Sequence, residues 1–577
     1  MDKHIRQQAQ DWVNNDQLSA VLREEIQELL DEENETELTD RFYKELEFGT
    51  GGIRGVVGAG TNRLNVFNIR KVTQGISNYI KALKIEKPSV VIGFDSRLSS
   101  VEFSKESARV LAGNGIKVHF FDRTHATPLV SFAVRQLKAT AGIMITASHN
   151  PPEYNGYKVI WSDGCQVTEP HDQGIIAEVE KLIENPVISL CAWEESLQKQ
   201  KVEMIPPKVD EDYYKVVSKL FLSKIDKKFD KGIVYTPLHG VGFEMVNELM
   251  IRRGFSSYRS VKSQQSPNGN FPGLAHTNPE DEGSMAEAIK ISQDSDHLIL
   301  ANDPDADRLG VMIRQQDEWV KLNGNQIGQI LLYYWLELLK THNKLPDNGF
   351  VISTIVTSNL GEKIAKSFNV KWYETLTGFK YIGRLLNLRV KKGDKFIFAY
   401  EESHGYQLGD YIREKDGISA ALMFAELTRD LSRQGKSVAD FLDSIYQKYG
   451  YHLDGLVNKV ILGRFGAKKI LEIMDELRKN PFTEFGGSKV VEVKDYLNLK
   501  KIDKKNDKEI ALPKALKANV FSFQLANGTK VTARPSGTEP KIKFYFNFVG
   551  SDMHELKKFT SICKEDFMNK IDAIAKD

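Results

Sequence analysis

Short apolar runs, each of which ends in a polar loop, recur along this chain and alternate with stretches of helical pattern. The run at 90–94 is followed by Asp95 and Arg97, and then by a helical stretch that Ser99 or Ser100 could cap. Further strand-like runs lie at 116–121, 142–146, 232–235, 297–301 and 395–400. Strands that alternate with helices build layered α/β domains with a mostly parallel sheet. The pattern therefore predicts an α/β fold.

Three regions of the chain depart from this alternation. Residues 1–47 are charged and carry apolar residues at helical spacing, which predicts an amphipathic helical start. The apolar run at 327–339 is interrupted by polar residues and is too short to cross a bilayer, so we interpret it as a buried helix. After residue 455, helices mix with strand-like runs at 520–523, 530–533 and 541–548, which is typical of an α+β domain.

The length of the chain sets the expected number of domains. At roughly 150 residues per domain, 577 residues suggest about four domains. Pro206 and Pro207 mark the first boundary, Gly324 lies at the second and Gly455 at the third. The predicted domains are residues 1–205, 206–322, 323–453 and 454–577.

Composition narrows the classes of function. Lysine and arginine number 79 and aspartate and glutamate 78, so the net charge does not favour nucleic acid or anionic membranes as partners. The cysteines Cys165, Cys191 and Cys563 form no CxxC pair, which disfavours a disulfide framework or a structural zinc site and fits a reducing compartment. The first residues lack the apolar stretch of a signal peptide. We expect a cytoplasmic protein.

The first unusual polar loop is TASHNP at 146–151, directly after a strand-like run. Ligands of open α/β sheets collect at the carboxyl ends of strands, and Ser148 lies at such an end. A serine oxygen near backbone N–H groups can bind phosphate and serve in covalent catalysis. An ordinary turn explains these residues equally well when they are taken alone. No GxSxG or SxxK motif surrounds Ser148, which disfavours a serine hydrolase.

Three carboxylates, Asp303, Asp305 and Asp307, stand at alternate positions after another strand-like run. They can converge on one hard cation such as Mg²⁺, which prefers oxygen ligands. An EF-hand needs glycine and glutamate where this chain has Arg308 and Arg314, so that motif is excluded. A solvated acidic turn remains the alternative.

A third loop, RPSGTEP at 534–540, combines an arginine, two hydroxyls and a glycine. These groups suit a cradle for a phosphate. A hairpin loop between two strands explains the segment almost as well by itself.

Three weaker signals accompany these loops. The glycine-rich loop at 49–55 carries one cation, Arg54. The segment EESHG at 401–405 clusters hydrogen-bonding groups after a strand and could bind sugar hydroxyls, with a charged helix side as the alternative. The segment REKDG at 413–417 would ordinarily be a solvated charged run.

The order of these segments is more specific than any one of them. The chain resembles the α-D-phosphohexomutase family, most of all its bacterial members, in the successive segments GTGGIRG, TASHNP, DPDADR, TGFK (377–380), EESHG, REKDG and RPSGTEP. The resemblance runs from residue 48 to residue 541 and so covers nearly the whole chain.

The resemblance implies an isomerase with a heart-shaped, four-domain architecture, in which three similar mixed α/β domains precede a smaller C-terminal α+β domain. It implies a phosphoserine at Ser148, and Mg²⁺ held by a phosphoserine oxygen with Asp303, Asp305 and Asp307. The residues expected near the transferring phosphate are Arg54, Lys158 and Arg308. Those expected to contact the rest of the substrate are Thr377, Gly378, Lys380, Glu401, Ser403, Arg534, Ser536, Gly537 and Thr538.

The resemblance leaves three candidates for the residue that transfers a proton. Some family members end the sugar-binding loop in SGH and others have SFG, whereas this chain has SHG. The candidates are His149, His404 and Lys415. We favour Lys415 because REKDG matches the family segment that approaches the reacting phosphate.

The reaction that the resemblance implies is the interconversion of glucose 1-phosphate and glucose 6-phosphate, with glucose 1,6-bisphosphate as intermediate or activator. Mannose or pentose phosphates are alternative substrates. A metal-dependent serine phosphatase is disfavoured, because it would not need RPSGTEP as a second phosphate-binding loop. We expect a sugar phosphate as the partner, neither nucleic acid nor membrane, and a monomer or weak dimer.

Overall fold

A computed structural model of the protein describes residues 3–49, 51–183, 186–223, 225, 229, 231–461, 466–536 and 541–576. The chain divides into two compact units. The first consists of Met1–Asn323, Phe379–Ala399 and Ser403–Arg433, and the second consists of Gly324–Gly378, Tyr400–Glu402 and Gln434–Asp577. Each unit is therefore assembled from separate stretches of the sequence.

Helices and strands alternate through most of the described chain. The helices are α1 (Lys3–Val13), α2 (Ala20–Asp31), α3 (Glu35–Phe42), α4 (Val66–Ala82), α5 (Ser100–Gly113), α6 (Thr127–Gln136), α7 (His171–Glu180), α8 (Trp193–Gln198), α9 (Lys208–Leu220), α10 (Phe243–Arg252), α11 (Ala286–Ile291), α12 (Gly324–Thr341), α13 (Leu360–Ser367), α14 (Phe379–Lys391), α15 (Gly417–Arg433), α16 (Val438–Tyr449), α17 (Gly466–Lys479) and α18 (Met553–Lys576). The strands are β1 (Gly52–Val56), β2 (Ser89–Phe94), β3 (Lys117–Phe120), β4 (Ala141–Ile145), β5 (Tyr154–Trp161), β6 (Val202–Met204), β7 (Gly232–Thr236), β8 (Tyr258–Ser260), β9 (Asp296–Asn302), β10 (Leu309–Gln315), β11 (Glu318–Leu322), β12 (Gly349–Thr354), β13 (Lys371–Thr375), β14 (Lys395–Glu401), β15 (Gly405–Leu408), β16 (Tyr451–Val460), β17 (Glu484–Phe485), β18 (Ser488–Asp495), β19 (Lys500–Asp503), β20 (Lys508–Ala511), β21 (Phe521–Leu525), β22 (Lys530–Pro535) and β23 (Lys541–Gly550).

The first sheet of the first unit has the strand order β1-β5-β4-β2-β3-β6. Strands β2, β3, β4 and β6 pair in parallel, as the alternating pattern predicts. Strand β5 instead pairs antiparallel with both β1 and β4, so the sheet is mixed. The segment at 146–153 therefore joins two neighbouring strands directly, without a crossover helix. Every side chain of β4 is buried, which fixes the start of that segment against the core.

A second sheet of the same unit repeats this arrangement with the order β11-β10-β9-β7-β8. Strands β7, β8 and β9 are parallel, whereas β10 and β11 are antiparallel to their neighbours. Asn302 pairs with Leu309, so the acidic segment at 303–308 is the tight connection between β9 and β10. Both unusual loops of this unit thus connect adjacent antiparallel strands.

The N-terminal region forms the helices α1, α2 and α3, in agreement with the predicted helical start. Trp12 contacts the rings of Phe42 and Phe67 edge-on, at centroid distances of 5.6 and 6.0 Å. Arg41 joins two of the helices to the chain beyond them, because it donates to Glu25 at 2.5 Å and to the carbonyl of Ala59 at 3.0 Å. The helices are therefore anchored to the rest of the first unit by apolar packing and by partly buried polar contacts, among them those of Arg41.

The predicted cap of α5 is wrong in its chemistry. The helix begins at Ser100 and Ser99 is its N-cap residue, but the Ser99 side chain makes no capping hydrogen bond. Its oxygen accepts instead from Asn155, at 2.8 Å, and the Ser100 hydroxyl donates to Asp95 at 2.7 Å. Both serines are used to join the loop after β2 to β5.

The second unit contains an α/β part and an antiparallel part. Strands β12 and β13 pair in parallel, and the apolar run predicted as a buried helix lies within α12, whose side chains are mostly buried. The later sheet has the order β16-β23-β22-β21-β18-β19-β20 and is antiparallel in every pair, with α17 and α18 packed against it. None of the described helices combines the length and the apolar character needed to cross a membrane.

Candidate active site

Ser148 lies in the connection between β4 and β5 and is 3% exposed. Its backbone is in the left-handed region, with φ of 52°, and its N–H donates to the Thr146 hydroxyl at 2.8 Å. The Ser148 hydroxyl donates to Asp303 Oδ2 at 2.7 Å and lies 3.2 Å from His149 Nδ1. The serine oxygen is therefore in contact with both a carboxylate and an imidazole.

Arg97, to which the sequence assigned no role, holds this connection in place. Its guanidinium donates to the carbonyl oxygens of Ser148, Asn150, Pro151 and Tyr154, at 2.8, 2.5, 2.7 and 2.7 Å. Burial lowers the pKa of Arg97, whose side chain is almost wholly enclosed. The available signal was topological: Arg97 follows β2, and β2 pairs in parallel with β4.

The three aspartates of the acidic segment converge as predicted. Asp303, Asp305 and Asp307 are fully buried, and one carboxylate oxygen of each lies within 4.8 Å of the others. Lys158 Nζ donates to Asp305 at 2.7 Å and to Asp307 at 3.1 Å. Thr127, at the start of α6, gives Asp305 a hydroxyl hydrogen bond at 2.7 Å and a backbone one at 3.0 Å. Nothing near Thr127 in the sequence signals this contact.

The cluster carries more buried negative charge than its nearest ammonium can balance. Burial and the neighbouring Asp307 and Asp305 carboxylates raise the pKa of Asp303. Burial also acts to raise the pKa of Asp305, but the Lys158 ammonium outweighs it and the pKa falls below its ordinary value. Burial acts to lower the pKa of Lys158, and the two carboxylates raise it instead.

The donor set of this cluster fits a hard cation. Oδ1 of Asp305 and Oδ1 of Asp307 are buried and accept no hydrogen bond within the described ranges. All of the converging atoms are carboxylate or hydroxyl oxygens, which are the ligands that Mg²⁺ prefers. A divalent cation would satisfy these oxygens and offset the excess negative charge.

The predicted cations surround the serine and the aspartates. Arg54 donates to Asn150 Oδ1 at 2.9 Å, in the same connection as Ser148. Arg308 donates to Glu280 at 2.7 Å, and its Nε lies 3.9 Å from Asp303 Oδ2. These side chains place positive charge around the hydroxyl of Ser148, where a phosphoryl group would carry negative charge.

The three candidates for proton transfer have different surroundings. Burial and the nearby Arg308 and Arg54 lower the pKa of His149 to about 2, so its imidazole is neutral. His404 Nδ1 lies 3.7 Å from Glu280, which is beyond hydrogen-bond length. Lys415 Nζ lies 3.4 Å from Asp307.

Glu280 was not found from the sequence, although it contacts this cluster. Burial acts to raise its pKa, but His404 and Arg308 outweigh burial and lower the pKa of Glu280 to about 2. The carboxylate is therefore charged, and it orients the Arg308 guanidinium. Glu280 lies in a long loop far from any other motif, where sequence pattern gives no signal.

Two further predicted residues of the first unit lie outside this cluster of contacts. Lys380 is in the first turn of α14, its carbonyl accepts from the Cys165 thiol at 3.3 Å, and burial lowers the pKa of its ammonium. Ser403 directly follows the point at which the chain leaves the second unit and is half-buried.

The second unit carries the remaining predicted residues. Glu401 ends β14 and is buried, Thr377 and Gly378 follow β13, and Gly378 has φ of 116°. Near the end of β22, Arg534 Nη1 donates to the Tyr545 hydroxyl at 3.3 Å. The N–H of Ser536 donates to the Lys541 carbonyl at 2.7 Å. The predicted contacts Gly537 and Thr538 lie outside the described residues.

Three family models match the chain. They are described as phosphoglucomutase/phosphomannomutase α/β/α domains I, II and III, and they match residues 45–186, 211–316 and 323–449 in that order. The first two matched ranges contain the serine loop and the acidic segment.

Curated relatives match over almost their full length. A protein named phosphoglucomutase from Staphylococcus saprophyticus is 36% identical over 552 residues, which are 95% of this chain and 98% of that protein. A second one, from Staphylococcus aureus strain MRSA252, is 36% identical over 538 residues, which are 92% of this chain and 94% of the relative.

Solved structures share the fold. Parafusin, a phosphoglucomutase from Paramecium, superposes with a TM-score of 0.70 at 19% identity, over 92% of this chain and 96% of that one. A phosphoglucomutase/phosphomannomutase family protein from Burkholderia thailandensis gives 0.67 at 17% identity, over 92% and 98% of the two chains. The predicted fold class, with α/β domains followed by a C-terminal α+β domain, is confirmed. The chain belongs to the phosphoglucomutase/phosphomannomutase family.

Proposed function

We propose that this chain is a phosphoglucomutase that interconverts glucose 1-phosphate and glucose 6-phosphate by moving a phosphoryl group through Ser148. The observation that carries the proposal is the contact of the Ser148 hydroxyl with Asp303, at 2.7 Å, inside a buried cluster of carboxylates and cations. The relatives that match over nearly the whole chain carry the name of this enzyme.

In the proposed reaction, Ser148 starts as a phosphoserine. Its phosphorus–oxygen bond breaks as the sugar hydroxyl of the hexose monophosphate forms a new bond to phosphorus, and the product is bound glucose 1,6-bisphosphate. After this intermediate reorients, the Ser148 oxygen takes the other phosphoryl group and the second hexose monophosphate leaves. Such a transfer needs aligned oxygens and neutralised charge more than it needs covalent chemistry from the protein.

Positive side chains supply part of that neutralisation. Arg54, Lys158 and Arg308 are the groups we assign to the phosphoryl oxygens, because they surround Ser148 and the aspartates. A cation fixed in a site that excludes water stabilises developing negative charge strongly.

The metal is proposed to be Mg²⁺. Asp303, Asp305, Asp307 and an oxygen of phosphorylated Ser148 would hold it, and when bound it would withdraw charge from the phosphoryl oxygens.

Proton transfer is assigned from the family pattern and from the distances in the site. We propose that Lys415, as the neutral amine, takes the proton of the attacking sugar hydroxyl, because REKDG matches the family segment that approaches the reacting phosphate and Lys415 Nζ lies 3.4 Å from Asp307. His149 is neutral and has a nitrogen 3.2 Å from Ser148 Oγ, so it is suited to hold a hydrogen bond with that oxygen.

Recognition of the rest of the substrate remains a proposal from the family pattern. Arg534 would make paired hydrogen bonds to the phosphate that does not react, with single ones from Ser536 and Thr538 and close approach at Gly537. Glu401 and Ser403 would bind sugar hydroxyls, and Thr377, Gly378 and Lys380 would line the substrate.

The test combines labelling with substrate choice. Protein treated with phosphate-labelled glucose 1-phosphate should carry one label, on Ser148. Ser148→Ala should lose both the label and the mutase activity, whereas Ser162→Ala, an exposed serine of the same unit, should keep both. Mannose 1-phosphate and ribose 1-phosphate are assayed in parallel, because the matched family models name both glucose and mannose enzymes. Mutase turnover by Ser148→Ala, or release of inorganic phosphate without isomerised sugar, would overturn the proposal.

A further inference from the structure

A lysine is buried in the strand that leads to the proposed phosphate loop. Lys530 begins β22 and is 6% exposed. Its ammonium donates to the carbonyl oxygens of Thr357, at 2.7 Å, and of Ile355, at 3.2 Å. Within the described part of the chain it makes no ion pair. Its only hydrogen-bond partners there are thus two backbone carbonyls of one turn.

The same turn holds a glutamate next to the proposed sugar-binding residue. The hydroxyls of Thr354 and Thr357 both donate to Glu402 Oε2, at 3.1 and 3.2 Å, and they lie 2.8 Å from each other. Glu402 directly follows Glu401, which is assigned to the sugar. Glu402 keeps some exposed surface, but its carboxyl group is enclosed by the two threonines.

A second contact joins the strand to this turn. Residues 530, 532 and 534 lie on one face of β22, because side chains alternate along a strand. Arg534 donates to Tyr545, and Tyr545 packs in one apolar cluster with Ile355 and Val356. The turn is therefore held at both ends of the face that carries Arg534.

Further hydrogen bonds hold the turn and the surroundings of Lys530. The Ser358 N–H donates to Asn325 Oδ1 at 3.1 Å. Asn547, which pairs with Lys530 across the sheet, donates to Asp454 at 2.8 Å. The polar groups around Lys530 thus have defined partners, and the turn has little freedom to move independently of the strand.

Burial of the Lys530 ammonium is energetically unfavourable for the folded protein. Burial lowers the pKa of its ammonium to about 8, which reflects the penalty of holding this charge away from water. A well-packed apolar side chain at such a position is usually as stabilising or more so. Packing alone does not account for a lysine here.

We propose that Lys530 is a positioning residue that couples the phosphate-binding strand to the sugar-binding loop, through the turn at 354–357 and the side chain of Glu402. This inference rests on the proposed function, because it takes the roles of Arg534 and Glu401 from it. A phosphate bound at Arg534 fixes β22, Lys530 then fixes the turn, and the two threonines fix Glu402 and its neighbour Glu401. The sugar-binding residue is ordered when the distal phosphate is held.

The kinetic test uses Lys530→Met, which keeps the length of the side chain and removes the charge. We expect the KM for glucose 1-phosphate to rise roughly tenfold, the size of one lost hydrogen bond to a charged group. The rate of Ser148 phosphorylation at saturating glucose 1,6-bisphosphate should change little, since the reacting groups Ser148 and Asp303 are not part of this strand. Lys530→Arg, which keeps the charge, should raise KM less than Lys530→Met does. Lys489→Met, which changes an exposed lysine of the same sheet, should leave KM unchanged.

Two further variants test the path itself. Thr357→Val keeps Lys530 and its carbonyl partner but removes the hydroxyl that reaches Glu402. If one path connects these residues, the double variant Lys530→Met/Thr357→Val should raise KM no more than the more severe single variant does. Effects that multiply would mean that the residues act independently, and the relay would be wrong. If Lys530→Met does not fold, Thr357→Val carries the test, and a wild-type KM in that variant would overturn the proposal.

A measurement that needs no activity separates this inference from the proposed function. Amide hydrogen exchange of the free protein should be faster in peptides covering 354–358 and 400–402 in Lys530→Met, and unchanged in Lys489→Met. Unchanged exchange in Lys530→Met would refute the relay whatever the enzyme does. A wild-type protein that is inactive on every sugar phosphate, with faster exchange in Lys530→Met, would instead refute the proposed function and leave the structural coupling standing.

Discussion

Ser148 has a backbone conformation that a residue with a Cβ adopts only at a cost of roughly 1–2 kcal/mol. Arg97 opposes this cost, because one guanidinium binds four carbonyl oxygens of the loop, from Ser148 to Tyr154. Strained backbone at a reactive residue persists only where its surroundings determine it. The orientation of the Ser148 hydroxyl therefore depends on the Arg97 side chain, which binds the Ser148 carbonyl and not the hydroxyl itself.

Arg97→Met should lower the stability of the protein and also slow the reaction at Ser148. The change leaves four carbonyl oxygens without their donor, and each buried oxygen that stays unpaired costs about 1–3 kcal/mol. We expect a lower Tm, and phosphorylation of Ser148 slowed roughly 100-fold because the oxygen is misplaced. Thermal unfolding and label incorporation measure the two effects. Arg109→Met, a half-buried arginine on α5, is the control, and a wild-type labelling rate in Arg97→Met would contradict the assignment.

Asp305→Asn tests whether the three aspartates bind a divalent cation. The amide removes a charge from the cluster and weakens its hold on a divalent cation. Mg²⁺ should raise the Tm of the wild-type protein, since a ligand that binds only the folded state stabilises it, and it should fail to do so for Asp305→Asn. Chelation should abolish wild-type turnover, and added Mg²⁺ should restore it. Asp317→Asn, in the exposed turn after β10, should behave as wild type. Full activity after chelation would argue against the site.

At the level of elements, the two reactive segments share one construction. Each is the short link between adjacent antiparallel strands, β4 with β5 and β9 with β10, at the edge where parallel neighbours end. Gly156 in β5 allows this packing, because a Cβ there would lie 2.5 Å from the Thr146 carbonyl and 2.9 Å from that of Ile53. Gly156 also pairs with Arg54 in β1.

Gly156→Ala should therefore act on both neighbouring strands. The methyl group meets backbone atoms that cannot rotate away, so β1 and the start of the serine loop must shift. We expect destabilisation of about 1–3 kcal/mol in denaturant unfolding, and a loss of mutase activity that exceeds the loss of folded protein at assay temperature. Gly283→Ala, where a Cβ meets open space, is the matched control. Equal stability of the two variants would show that the strands have room to adjust.

The sequence was a good guide to elements and a poor one to their partners. The strand-like run at 90–94 lies within β2, and the three aspartates converge, because a local pattern decides both. The antiparallel return of β5 was not predicted, since pairing direction depends on contacts far apart in the chain. Thr127 and Glu280 were missed for the same reason: each reaches the cluster from a different loop or helix start.

For the whole molecule, buried ionisable groups in the second unit make stability depend on pH. Burial, with the adjacent Glu401 carboxylate, raises the pKa of Glu402 to about 7 from an ordinary value of 4.5. Between these values the folded protein holds a proton that the unfolded chain has lost. Stability from this group is therefore complete below pH 4.5 and is lost as the pH rises through about 7.

Glu402→Gln should flatten this dependence. The amide cannot ionise, so the decline in Tm of the wild-type protein between about pH 4.5 and 7 should be smaller in the variant. Calorimetry across that range measures the difference. Glu484→Gln, an exposed glutamate of the same unit, should follow the wild-type curve. A variant curve parallel to that of the wild type would mean that Glu402 is ionised throughout.

The discontinuity of the first unit has a consequence for how the protein is made. Tyr213 donates to Asp416, 203 positions later, and Arg253 donates to Glu426, 173 positions later. On a ribosome, which releases the chain from its N-terminus, these partners emerge only after Gly324–Gly378 of the other unit has already left. A nascent chain that has reached Asn323 holds both sheets of the first unit and still lacks α14 and α15, which complete it. The first unit can thus be completed only after residues 324–378 of the second unit have been synthesised.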